Sequence, residues 1–209
     1  MSRCLISSPA SGLALGAGLC AAGLLLLGWK ANPLCAAVTA AIPASYLFLY
    51  TPMKRTSAFN TLWGGIPGAL PPVAGWAAAS GRLDRGAWIL FAILFLWQLP
   101  HALAIGWQHR EDYARAGIVV LPTVSPDGGG MARQAVLNSL ALLAAGLLPS
   151  LTGMAGPRYF AAALLLGLAF LAFALRLAFS RTTEAARGLV LCSLVHLPAL
   201  FLAMALDRR

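Results

Sequence analysis

The chain alternates between long apolar runs and short polar interruptions. Seven runs, roughly 10–29, 32–51, 58–80, 86–108, 133–155, 159–180 and 187–206, are each near the length that crosses a bilayer as a helix. In hydrocarbon a spanning segment must satisfy its own backbone N–H and C=O groups, so runs of this kind are helices. The period-two alternation of a membrane barrel is absent. The pattern predicts an all-α fold: a polytopic transmembrane helix bundle of about seven helices, with residues 1–209 forming one domain.

The interruptions are unequal. The longest, 109–132, carries Glu111, Asp112 and Asp127, three of the six acids in the chain. A long polar loop in a compact bundle is usually functional or disordered. Gly128-Gly129-Gly130 reads as a flexible hinge, whereas 110–117 is too specific in composition for a passive linker. Gly12-x-x-x-Gly16 and Gly64-x-x-x-Gly68 read as places where helices approach closely.

Composition excludes two classes. Of 209 residues, 60% are hydrophobic and 10% charged, so neither a water-soluble globule nor a disordered chain fits. Lys and Arg number 15 against 6 acids, a net charge of +9. The basic residues collect at run ends, and no basic segment interleaves with aromatics, so nucleic acid is not an expected partner. Placed on alternate faces, the charges put Arg3, Lys54, Arg55, Arg110, Arg115, Arg133, Arg176, Arg181 and Arg187 on the N-terminal side. Lys30, Arg82, Arg85, Arg158, Arg208 and Arg209 fall opposite. The excess predicts a cytoplasmic N-terminal face. Cys4, Cys20, Cys35 and Cys192 form no metal-ligand or redox spacing, and the N-terminus has no convincing secretory leader.

Two polar clusters interrupt this pattern. Tyr50-Thr51-Pro52-Met53-Lys54-Arg55-Thr56-Ser57 runs on to Asn60. It reads either as topology-setting charge or as an anion site, in which Lys, Arg and hydroxyls meet phosphate oxygens beside a helix N-terminus. The second cluster is Trp97-Gln98-Leu99-Pro100-His101, followed by Arg110-Glu111-Asp112-Tyr113-Ala114-Arg115. Pro100 removes a hydrogen bond inside a span, and polar or ionisable residues at that depth mark function by default. His196 beside Pro198 reads as a packing histidine. Asp112 is the candidate Mg²⁺ ligand, since Mg²⁺ favours carboxylate oxygens shared with substrate phosphates. The competing reading pairs Asp112 and Glu111 with Arg110 or Arg115 in solvent.

These residues carry a resemblance. YTPMKRTSAFNTLWGGIPGALPPVAGWAAASG, residues 50–81, and LFAILFLWQLPHALAIGWQHREDYARAGIVVLP, residues 90–122, resemble in order and separation two signature blocks of the protohaem IX farnesyltransferase (haem O synthase) family. These are UbiA-type intramembrane prenyltransferases with nine helices around a central cavity. The resemblance implies transfer of farnesyl from farnesyl diphosphate to a vinyl group of haem b, with addition of water to give haem O. It implies Mg²⁺ as cofactor, the lipid bilayer as surroundings, and haem A synthase or oxidase assembly factors as neighbours. Carried over by position, Lys54, Arg55 and Asn60 would face the diphosphate, with Tyr50 and Thr51 beside them. Asp112 and Tyr113 match the second acidic motif, with Asp112 the metal ligand. Trp97, Gln98 and His101 would line the cavity, and Arg110 and Arg115 would contact substrate.

The sequence also departs from that pattern. The family's first acidic motif, of NxxxDxxxD type, should stand about two helices before these blocks, yet no acid precedes Asp84. Ser2-Arg3-Cys4-Leu5 onward reads as a worn remnant of the segment that follows that motif. The chain is therefore expected to match helices three to nine. Ala102, Val119 and Val120 also differ from the usual residues. Two alternatives remain open: a UbiA-type enzyme with a quinone or chlorophyll-type acceptor, and an inactive haem-binding or assembly bundle.

Overall fold

The computed structural model describes residues 8–54, 57, 60–125 and 127–208. Arg55 lies outside them, as do Arg3, Arg209 and the 2–5 segment. Among the described residues the chain is helical, and the one strand-like feature is an isolated bridge between Ala155 and Arg208. The helices are α1 (Pro9–Lys30), α2 (Pro33–Met53), α3 (Asn60–Ser80), α4 (Arg85–Gln108), α5 (Arg110–Arg115), α6 (Leu121–Val124), α7 (Gly129–Leu151), α8 (Pro157–Ser180) and α9 (Thr183–Leu206).

Polar residues at the run boundaries set the helix starts. Ser8 accepts from the Ser11 N–H, Asn32 from Cys35, Asp84 from Gly86 and Thr182 from Ala185. Asn32 does more, because its Nδ2 donates to the Ala77 carbonyl at 2.7 Å and ties the α1–α2 turn to the end of α3. At α8 the Tyr159 N–H is satisfied from a distance, by Asp207 Oδ2 at 2.8 Å.

The seven long helices correspond to the seven apolar runs, with two differences. Six of them are long and apolar enough to cross a membrane, and α3 is not among the six. Its 21 residues would span, but three prolines and four glycines dilute its hydropathy. It sits between α2 and α4, so protein rather than lipid covers much of it. The second difference is at α7, which begins at Gly129 and ends at Leu151, four residues ahead of the expected run. The glycine triplet is therefore no hinge. Gly128 takes φ +72° and turns the chain, while Gly129 and Gly130 are the first residues of the helix. A Cβ at Gly128 would also lie 2.7 Å from the Trp107 ring, so both backbone and space require glycine.

Helices α4, α7, α8 and α9 pack as a closed quartet, each against two of the others. Ile93, Leu103, Trp107, Met131, Leu142, Tyr159, Phe170, Leu177, Leu189 and Leu200 fill it. A smaller cluster of Cys35, Val38, Val73, Ala74, Ala77 and Ala87 joins α2, α3 and α4. Helix α1 packs on α2 and buries none of its own residues. Of the two glycine pairs, only the second packs tightly: Gly16 has no neighbour within 4 Å of a built Cβ, whereas Gly64 and Gly68 are closely covered.

Candidate active site

Contacts across the bundle gather its loops at one end. The Trp107 Nε1–H donates to the Arg181 carbonyl, Arg181 Nη1 donates to the Asp127 carbonyl, and the Val119 N–H donates to the Lys54 carbonyl. Below this end, between α2, α3, α4 and the 110–122 segment, lies a cavity of about 530 Å³. It brings together Tyr50, Lys54, Asn60, Trp97, Gln98, His101 and Tyr113, which the sequence places in separate runs.

The α2 wall departs from α-helical geometry. Residues Tyr46–Tyr50 form a π turn, in which the Thr51 N–H reaches back to the Tyr46 carbonyl and the Thr51 hydroxyl donates to the same oxygen at 2.9 Å. Pro43 and Pro52 flank this turn and cannot donate to a regular ladder. Tyr46 and Tyr50 both line the cavity, their ring centroids 5.2 Å apart. Thr51 is thereby committed to its own helix.

The α3–α4 wall depends on missing side chains. Gln98 Nε2 donates to the Gly65 carbonyl at 2.7 Å. A Cβ at Gly68 would stand 2.2 Å from Gln98 Oε1, one at Gly65 would stand 2.8 Å from Phe95, and one at Gly64 2.9 Å from Tyr50. Three glycines on one helix thus let two aromatic rings and one amide reach the α3 backbone.

The hydrogen bonds define which nitrogen of His101 is the donor. Its Nδ1 lies 2.6 Å from Ser193 Oγ, and Ser193 Oγ also lies 2.6 Å from the Val190 carbonyl. A hydroxyl has one proton, and the carbonyl can only accept, so Ser193 donates to Val190 and accepts from the His101 Nδ1–H. In its neutral form the ring then keeps Nε2 as an acceptor. Trp97 stacks on the imidazole at 5.0 Å and donates Nε1–H to the Ser193 carbonyl at 2.9 Å. α4 runs unbroken through Pro100, which places Trp97 and His101 one turn apart on the cavity side.

Asn60 has a different part from the one its motif suggests. Its side chain is buried, and its Nδ2 donates to the Lys54 and Val119 carbonyls while Oδ1 accepts from Thr61. Asn60 therefore fastens the Lys54 segment to the 110–122 segment. Arg110 is also occupied elsewhere, donating to the Trp107 carbonyl and lying 4.7 Å over the Trp107 ring. Asp112 is exposed and paired with Arg115, with His109 Nδ1 at 3.7 Å. The Arg115 hydrogen bond and charge hold its carboxyl below the usual carboxylate range, so it is ionised at neutral pH. Tyr113, its neighbour, faces the cavity.

One exposed carboxylate committed to an arginine does not make a Mg²⁺ site. No group of three or more His, Cys, Asp or Glu stands together among the described residues. Ser193, Thr61 and Tyr46 belong to the site and were not singled out from sequence. Ser193 carried the available signal, a hydroxyl inside an apolar span one turn before His196. His196 is buried with Nδ1 3.2 Å from the Leu166 carbonyl and its ring edge against Phe170, as suits a packing residue.

The UbiA prenyltransferase family model matches residues 6–204. The chain belongs to the UbiA prenyltransferase family. UbiA-family prenyltransferases generally use Mg²⁺, and the family together with six span-length apolar helices makes this an integral membrane protein. It is 52% identical over 196 residues to the protoheme IX farnesyltransferase of Solibacter usitatus (strain Ellin6076), covering 94% of this chain and 67% of that one. It is 44% identical over 189 residues to the protein of the same name from Koribacter versatilis (strain Ellin345), covering 87% and 61%. With that of Myxococcus xanthus (strain DK1622) it shares 43% over 201 residues, covering 96% and 68%. The chain thus spans about two thirds of the length of these UbiA-family relatives. No solved structure matches it.

Proposed function

We propose that the chain is a protohaem IX farnesyltransferase, joining the farnesyl group of farnesyl diphosphate to a vinyl group of haem b, with water adding to give haem O. The observation that carries this reading is the cavity. Its polar end holds Lys54, and its depth holds aromatic rings, an amide and a histidine. A diphosphate seated at Lys54 directs an apolar prenyl chain down into the bundle, where bulk water is excluded and an allylic cation survives long enough to react. Lys54 stabilises the charge that builds on the departing diphosphate, joined by Arg55. Tyr50 and Tyr113 position that end, and Trp97 offers a flat face to the acceptor. Gln98 holds the α3–α4 wall in place. His101, with its acceptor nitrogen Nε2 fixed by Ser193, takes the proton released when water adds.

Mg²⁺ is expected of the family, but the described residues do not form its site, and no step here runs through it. We place the loop end at the cytoplasmic face, on the charge pattern, and the membrane as a bacterial inner membrane, on the resemblance to the protohaem IX farnesyltransferases. The 209 residues belong to one prenyltransferase domain of which they are the part matching helices three to nine, and haem A synthase or oxidase assembly factors are the partners that would take up its product.

The test is complementation. This chain, and the longest open reading frame that contains it, are expressed in a bacterial strain lacking haem O synthase, and extracted haem is analysed by mass. Haem O is expected. Its absence from both, with the proteins stably inserted, overturns the assignment.

A further inference from the structure

A second, much smaller chamber adjoins the cavity. Its polar wall is Thr61, Gln134 and Asn138, and its apolar wall includes Leu99, Leu103 and Leu121. Thr61 and Leu103 line both spaces. The chamber measures about 30 Å³, room for a single water molecule. Asn138 is 8% exposed, and its Nδ2 has no hydrogen-bond acceptor among the described residues. Its Oδ1 receives only a long contact from Gln134 Nε2 at 3.5 Å. A buried amide N–H without an acceptor is costly, and a polar pocket of this size relieves that cost by holding water. Thr61 completes the seat: its hydroxyl proton is directed to Asn60 Oδ1 at 3.2 Å, so its oxygen lone pairs can accept from water.

We propose that this chamber is a one-water store that supplies the water consumed in the reaction. The inference rests on the function proposed above and deepens it. Farnesyl transfer to a vinyl group poses a contradiction, because the cation must be kept from bulk water and yet one water must be added. The C1–O bond of farnesyl diphosphate breaks with its electron pair leaving on diphosphate. The vinyl π electrons form the new C–C bond and leave a cation on the carbon next to the porphyrin ring. A lone pair of the stored water forms the C–O bond there, and its extra proton passes to His101 Nε2. Without a stored water the same cation loses a proton from the adjacent carbon and becomes an alkene, lighter than the hydroxylated product by one water.

The decisive variant is Asn138→Leu, which keeps the branching of the side chain, fills the chamber with methyl groups and removes its polar seat. In cells making haem, extracted haem is separated by mass into hydroxylated and dehydrated farnesyl products. The wild-type chain gives the hydroxylated product. Asn138→Leu raises the dehydrated fraction about tenfold while total farnesylated haem stays within about threefold. Asn138→Ser, which keeps a polar group and leaves room for water, restores the wild-type ratio. An unchanged product ratio in Asn138→Leu overturns the proposal. If Asn138→Leu fails to insert, Thr61→Val, which removes the other polar seat, is judged by the same ratio. Loss of both products from the wild-type chain and from the longest open reading frame that contains it overturns the enzyme assignment itself, whereas hydroxylated product in the wild-type ratio from every variant overturns only the chamber.

Discussion

The quartet α4, α7, α8 and α9 and the outlying helix α1 are built from equally greasy sequence and end in different environments. In the quartet, Phe170, Tyr159 and Leu142 are sealed from any solvent. In α1, Leu13, Leu25 and Trp29 are at least three-quarters exposed. In water such a difference would be fatal to α1. In lipid it is not, because hydrocarbon is as good a neighbour for leucine as protein is, and what separates the two regions is packing rather than hydrophobicity. The cavity lies between them, walled by α2 and α3 on the outlying side and α4 on the quartet side.

Substitutions can break this contrast. Phe170→Ala opens a void in the quartet and is expected to cost about 3 kcal/mol, read by denaturant titration in detergent. Gly68→Leu, at the seam, drives a side chain into Gln98 and is expected to abolish haem O formation while the quartet still folds, read as haem O yield beside the same titration. Lys54→Ala leaves stability unchanged and lowers product by about a hundredfold, the scale of losing one charged transition-state contact. Ser193→Ala removes the acceptor of the His101 Nδ1–H and is expected to lower turnover about tenfold at unchanged expression. Leu13→Ala, on α1, shifts stability by less than about 0.5 kcal/mol. A large loss there would show that the face of α1 carrying Leu13 is covered after all.

Hydropathy made the fold legible, because seven runs of span length have few ways to satisfy their backbones in lipid. The α3 run was placed correctly, although its glycines and prolines, which serve contacts with α2 and α4, leave it less apolar than the other six. The start of α7 was missed, because the glycine triplet was read as looseness although Trp107 requires Gly128 and the other two begin the helix. In the site, Trp97, Gln98 and His101 announced themselves as polar or amphipathic groups inside an apolar span, and the cavity unites them. Asn60 was legible as important but not in its part, since motif position does not reveal that both amide protons of a buried side chain go to loop carbonyls. Ser193 and Asn138 were less visible. Each is one small polar residue in a span, and its meaning comes from what stands across the bundle.

The π turn at Tyr46–Tyr50 has a consequence for sequence editing. Such a turn is an α-helix carrying one extra residue, taken up locally so that the winding on either side keeps its register. Removing one residue from 46–50 would let α2 relax to ordinary winding and leave Lys54 on its present side, whereas adding one more would rotate everything after it by about 100°. The insertion would swing Lys54 off the cavity. A one-codon insertion there would yield a protein that is abundant, inserted and inert, and a one-codon deletion would keep its activity.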